Sequence, residues 1–104
     1  MEQENPHSLI LVSVNQGYTE TVMDTARKAG AKGGTVIRAR WAGPEAAKPF
    51  GGISIQAEKE VLAIVATNRE RDAIMTEINR LHGMKSAPQA MVISVPIDHM
   101  ARID

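Results

Sequence analysis

The stretch Val61-Leu62-Ala63-Ile64-Val65-Ala66-Thr67-Asn68-Arg69-Glu70 changes character part-way along. Its first six residues are apolar at successive positions and rich in β-branched side chains, which suits a strand buried on both faces. Thr67, with Glu70 three residues later, then reads as a capping box, in which hydroxyl and carboxylate each take a backbone N–H that the first helical turn leaves without a partner. Ile74, Met75, Ile78 and Leu81 follow at helical spacing, and Gly83 ends the run. The stretch predicts a strand that passes directly into an amphipathic helix.

Working outward, Leu9 to Val14, Thr35 to Arg40 and Met91 to Val95 have the residue types of further strands. Thr19 is the expected N-cap of another helix, with Glu20 in its first turn. Val22, Met23, Ala26 and Ala29 form its apolar face, and Gly30 its left-handed stop. The order strand, helix, strand, loop, strand, helix, strand predicts an α+β, ferredoxin-like βαββαβ sandwich. Two helices cover only one side of such a sheet. Leu9 to Val12 and Val61 to Ala66 are nevertheless apolar on both faces, so the second face calls for a partner copy.

Composition narrows the function. The 104 residues, 43% hydrophobic, fit one domain spanning 1–104, with 1–7 a flexible N-terminus. Twelve basic residues against twelve acidic ones leave no net charge, which removes the broad pull that nucleic-acid binding requires. With one each of Trp41, Tyr18 and Phe50 there is no aromatic platform for stacking bases. No cysteine is present, the N-terminus is acidic rather than signal-like, and no apolar run approaches the roughly 20 residues that span a bilayer. A cytoplasmic protein with no nucleic-acid partner and no membrane insertion is expected.

Between the second and third strands, residues 41–52 contain Gly43, Pro44, Pro49, Gly51 and Gly52, too broken for a helix and too long for a tight hairpin. This is a projecting loop for a partner, with Trp41, Pro44, Glu45, Lys48 and Phe50 the candidate contacts and the two aromatics pinning its ends. Arg38 and Arg40 alternate with Ala39 and so share a face, where they either hold an anion or pair across the strands with Glu58 and Glu60. Catalysis finds no support: there is no nucleophile elbow, phosphate-binding loop or dinucleotide fingerprint, and the paired Glu58 and Glu60 lack a companion nucleophile. His7, His82 and His99 are too far apart in sequence for a metal site within one subunit.

Three stretches carry a family resemblance: Ala26-Arg-Lys-Ala-Gly-Ala-Lys-Gly-Gly-Thr-Val-Ile-Arg-Ala-Arg40, Phe50-Gly-Gly-Ile-Ser-Ile-Gln-Ala-Glu-Lys-Glu60 and Ile93-Ser-Val-Pro-Ile97. The chain resembles the PII-like nitrogen-regulator proteins over nearly its whole length, above all their short-loop branch. The resemblance implies a homotrimer with the sheets packed inward, acting as a signalling module rather than an enzyme. It also implies a small-molecule effector or adenine nucleotide in the clefts between subunits, and a target protein reached through the loop. By position, Thr35 matches the family's threonine beside the base, Gly43 a glycine at the loop root, and Arg102 the first of two C-terminal arginines that reach phosphates. Asp104 stands in place of the second arginine, and Met84-Lys-Ser-Ala-Pro-Gln-Ala-Met91 replaces the glycine-rich phosphate turn, leaving Lys85 as its one cation. Pro88 lacks an N–H and the turn lacks glycine flanks, so an adenine nucleotide is expected to bind weakly. No tyrosine lies in the loop, so uridylylation there is excluded. The alternative implied by a related family is a metal-responsive trimer of the ion-tolerance type.

Overall fold

The structure is a computed structural model that describes residues 6–42 and 56–101. The elements run β1 (His7–Asn15), α1 (Thr19–Lys28), β2 (Thr35–Arg40), β3 (Glu58–Thr67), α2 (Asn68–His82) and β4 (Met91–Pro96). They build one four-stranded antiparallel sheet in the order β2-β3-β1-β4. Both β-α-β units are therefore split: β3 lies between β1 and β2, and β1 lies between β3 and β4. This is the expected α+β ferredoxin-like arrangement. β1 begins at His7, opposite Thr67, two residues ahead of the apolar run.

The capping box at α2 forms as the sequence predicts: the Glu70 amide donates to Thr67 Oγ1 at 3.2 Å, and the Thr67 amide donates to Glu70 Oε1 at 3.3 Å. At α1 the expectation is corrected. Tyr18, not Thr19, is the N-cap residue, and no side chain caps the helix. The turn Asn15–Tyr18, closed by Tyr18 N–H to Asn15 O at 3.3 Å, delivers the chain one residue early, so Thr19 is already helical. At the other end Gly30, with φ +122°, supports a Schellman motif: its amide donates to Arg27 O at 3.0 Å and that of Ala31 to Ala26 O at 2.9 Å.

Both helices pack on one face of the sheet. Ile10, Val12 and Val14 of β1, with Leu62, Ile64 and Ala66 of β3, meet Val22, Met23 and Ala26 of α1 and Ile74 and Ile78 of α2 in one buried core. Each large aliphatic side chain in it contributes about 1.5–3 kcal/mol by leaving water. Leu81, expected on that apolar face, is 46% exposed instead, and the buried residues of α2 are Ile74 and Ile78.

The other face has no cover among the described residues. Cross-strand partners share a face, so Leu9 lies with Val65 and Val95, Leu11 with Ala63 and Ile93, and Ser13 with Val61 and Met91. Ile37, Val65 and Ile93 on this face are each about half exposed. The continuous apolar stretches of β1 and β3 thus serve two faces, as their lack of alternation indicates.

Candidate functional site

Of the residues singled out by sequence, Arg38, Arg40, Trp41 and Lys85 fall at one end of the sheet, where β2 ends, β3 begins, β1 ends and the turn 83–90 precedes β4. Trp41 N–H donates to Ala57 O at 2.8 Å and closes the root of the β2–β3 connection. Gly43, Pro44, Glu45, Lys48, Phe50 and Arg102 lie outside the described residues, as does most of the expected 41–52 loop.

Arg38 and Arg40 do share a face, and the register sets them opposite Glu60 and Glu58. Neither guanidinium makes an ion pair among the described residues; the Glu60 carboxylate instead accepts from the Gly17 amide at 3.3 Å. Their face is that of the helices, beyond the helices' reach, so both arginines are exposed. Thr35 pairs with Ala63 and lies on the opposite, open face. Within one chain β2 therefore separates Thr35 from the two arginines. Lys85 is exposed on the turn, beside a depression of about 410 Å³ lined by Asn79, Arg80, Gly83 and Ser86.

Sequence reading passes over the residue that joins these parts. Lys59 is only 8% exposed, and its Nζ donates to Asn15 Oδ1 at 2.7 Å. Burial holds the Lys59 pKa below the ordinary lysine value. Asn15, itself buried, donates from Nδ2 to Ala87 O at 2.8 Å and to Gln89 Oε1 at 3.2 Å, and from its backbone N–H to Pro88 O at 2.9 Å. One asparagine thus ties β3 to three consecutive residues of the turn. Gln89 sits at φ +49°, a left-handed conformation uncommon outside glycine. The available signal was the polar Asn15 ending an apolar strand and Lys59 opening the next, but their 44-residue separation hides the pairing.

A second depression, of about 390 Å³, lies between α2 and β4 and is lined by Met75, Thr76, Asn79, Met84, Ala90, Met91 and Val92. Among the described residues no group of three His, Asp or Glu could hold a metal ion. No described helix is long and apolar enough to cross a membrane.

This geometry is found in solved proteins. Arabidopsis thaliana PII bound to citrate superposes with a TM-score of 0.69 at 15% identity, covering 96% of this chain and 82% of that one. The Bacillus subtilis GlnK–ATP complex gives 0.68 at 15% identity, covering 93% and 86%. The fold is that of the PII signalling proteins. A DUF3240 family protein from Shewanella baltica OS155 shares this PII-like fold, with a TM-score of 0.69 at 13% identity and 96% and 99% coverage. No family model and no curated protein matches the sequence.

Proposed function

We propose that this chain is a non-enzymatic PII-like regulatory protein that assembles as a homotrimer, binds a small anionic effector at its subunit clefts and signals to a target protein through the β2–β3 connection. The observation that carries this reading is the uncovered apolar sheet face, on which Ile37, Val65, Ile93 and Val95 are between 42% and 50% exposed. A face of that kind favours association with further copies. A three-fold ring turns the open faces inward and brings Thr35 close to a neighbouring subunit, while Arg38 and Arg40 flank the same β2 edge. Citrate and ATP on two proteins of this fold support an anion as the effector class. Lys85, Gly43 and Arg102 complete the ligand-binding set in this reading, with nitrogen status as the signal and the cytoplasm as the compartment. Nothing among the described residues favours the metal-responsive alternative.

Light scattering joined to calorimetric titration tests the proposal. The expected mass is three times the 11.3 kDa chain. Adenine nucleotides are expected to bind one to four decades more weakly than at a complete site, since one or two charge-assisted contacts of about 1.5–3 kcal/mol each are replaced. Arg102→Ala should weaken binding further. A stable monomer at micromolar concentration would sink the assembly, and sub-micromolar ATP binding would sink the weakened site.

A further inference from the structure

The turn 83–90 is partly self-supporting. Ser86 N–H and Oγ both donate to Gly83 O, at 2.9 and 2.7 Å, and Gln89 N–H donates to Ser86 O at 3.2 Å. From outside, the Ala90 amide donates to His82 O at 2.7 Å, and Asn15 contributes the bonds to Ala87, Pro88 and Gln89 described above. The Asn15 side chain is satisfied on both sides of its amide: Oδ1 accepts from Lys59, and Nδ2 gives both its bonds to the turn. That fixes which way the amide faces. An ammonium is a donor only, so Lys59 holds the oxygen toward β3 and leaves the nitrogen to the turn. Without the ammonium the amide loses its orienting partner and its carbonyl is left buried without one, a condition proteins avoid.

The positions of the two ends give this arrangement its consequence. Lys59 is the second residue of β3, immediately after the β2–β3 connection whose root is closed at Trp41 and Ala57. The turn at the other end supplies Met84 and Ala90 to the depression beside α2, and Met84, Lys85 and Ser86 to its neighbour.

We propose that Lys59 and Asn15 form a latch, in which the lysine ammonium orients the asparagine amide and the amide holds the 83–90 turn against the sheet, so that movement at the start of β3 is transmitted to the walls of both depressions. The latch is a conformational link between two segments far apart in sequence, and linkage makes it reciprocal: a ligand that shifts the turn shifts the start of β3. Its use in signalling rests on the PII-like reading; the latch itself does not.

Backbone hydrogen exchange on the full-length protein tests it without any ligand. Lys59→Met keeps the aliphatic stem and removes the donor. Asn15→Asp keeps the acceptor for Lys59 and removes the donors to Ala87 O and Gln89. In both variants the amides of Asn15, Gln89 and Ala90 should exchange at least about ten-fold faster, while those of Ile10, Val12, Leu62 and Ile64 change by less than about two-fold. Three outcomes overturn the latch. If Lys59→Met leaves the turn amides as in the wild type, the lysine does not act on the turn. Equal acceleration of turn and strand amides means the pair supports only global stability, and failure of both variants to fold places the pair in the core. Loss of trimer or of effector binding in the wild type would overturn the signalling reading and leave this result standing.

Discussion

Arg38 lies directly opposite Glu60 in the β2–β3 ladder, yet the Glu60 carboxylate accepts a hydrogen bond from the Gly17 amide and forms no ion pair with the guanidinium. Cross-strand pairing brings opposite charges near one another, but at an exposed sheet edge a competing backbone donor is enough to take the carboxylate, because an exposed ion pair is worth about 1 kcal/mol or less. Neither arginine is therefore held by the acid across the ladder from it.

Replacing both arginines should separate stability from binding. Arg38→Ala with Arg40→Ala is expected to shift the unfolding free energy by no more than about 0.5 kcal/mol, as for exposed side chains with no ion pair among the described residues. Affinity for citrate or an adenine nucleotide should fall by about ten-fold, the loss expected when a charge-assisted contact of about 1.5 kcal/mol is removed. Denaturant melts and calorimetric titrations check the two halves; a large loss of stability with unchanged binding would make the arginines structural.

The open face offers a direct disruption. Ile93 pairs with Leu11 on that face and is 50% exposed in the single chain. Ile93→Asp leaves the helix-side core untouched but, in the proposed trimer, sets a carboxylate against a neighbouring subunit, where burial without a partner is costly. Light scattering should show the mass dropping from three chains to one while circular dichroism still reports the α+β fold. A variant that stays trimeric would mean that the sheet face is not the interface.

His82 makes stability depend on pH. Its Nε2 lies 2.7 Å from Thr25 Oγ1, joining α2 to α1, and burial depresses its pKa below the ordinary histidine value of 6.5. With the folded pKa below the unfolded one, the unfolded state binds more protons between them, so this contribution is fully present above pH 6.5 and is lost as pH falls toward the folded value. Urea midpoints at pH 7.5 and 5.5 should therefore differ. His82→Gln, which retains a hydrogen-bonding group, should shrink that difference, and an equally steep variant would assign the dependence to other groups.

The capping box gives a second, more acidic transition. Hydrogen bonds from Thr67 hold the Glu70 pKa below the ordinary glutamate value of 4.5, so its contribution is present above that pH and lost as the solution is acidified through the folded value. Thr67→Ala should cost about 1 kcal/mol at neutral pH. It should also partly flatten the acid limb of the stability curve, because the Glu70 carboxylate then loses the stabilising influence of the Thr67 hydroxyl and keeps only the bond from the residue-67 amide. Chemical denaturation between pH 3 and 7 measures both; an unchanged acid limb would show that Glu70 is not its source.

The sequence by itself determined the elements whose causes are local. The capping box needs only Thr67 and Glu70 three residues apart, and the Schellman stop needs only Gly30 after an apolar helical face. The two-faced strands were equally legible, since successive apolar residues cannot all point one way. The N-cap of α1 was misread because the choice between Tyr18 and Thr19 depends on the Asn15–Tyr18 turn, whose geometry the end of β1 dictates. Alternation along β2 already separates Thr35 from Arg38 and Arg40; only the tertiary structure decided that the arginines take the helices' face and Thr35 the open one, because which side of β2 faces the helices follows from its register against β3. It alone brought Lys59 to Asn15 and Asn15 to the 83–90 turn. Residues separated by 44 and 72 positions leave no periodic trace in the chain; they meet because β1 pairs with both β3 and β4, and a buried donor or acceptor takes whatever partner the sheet delivers.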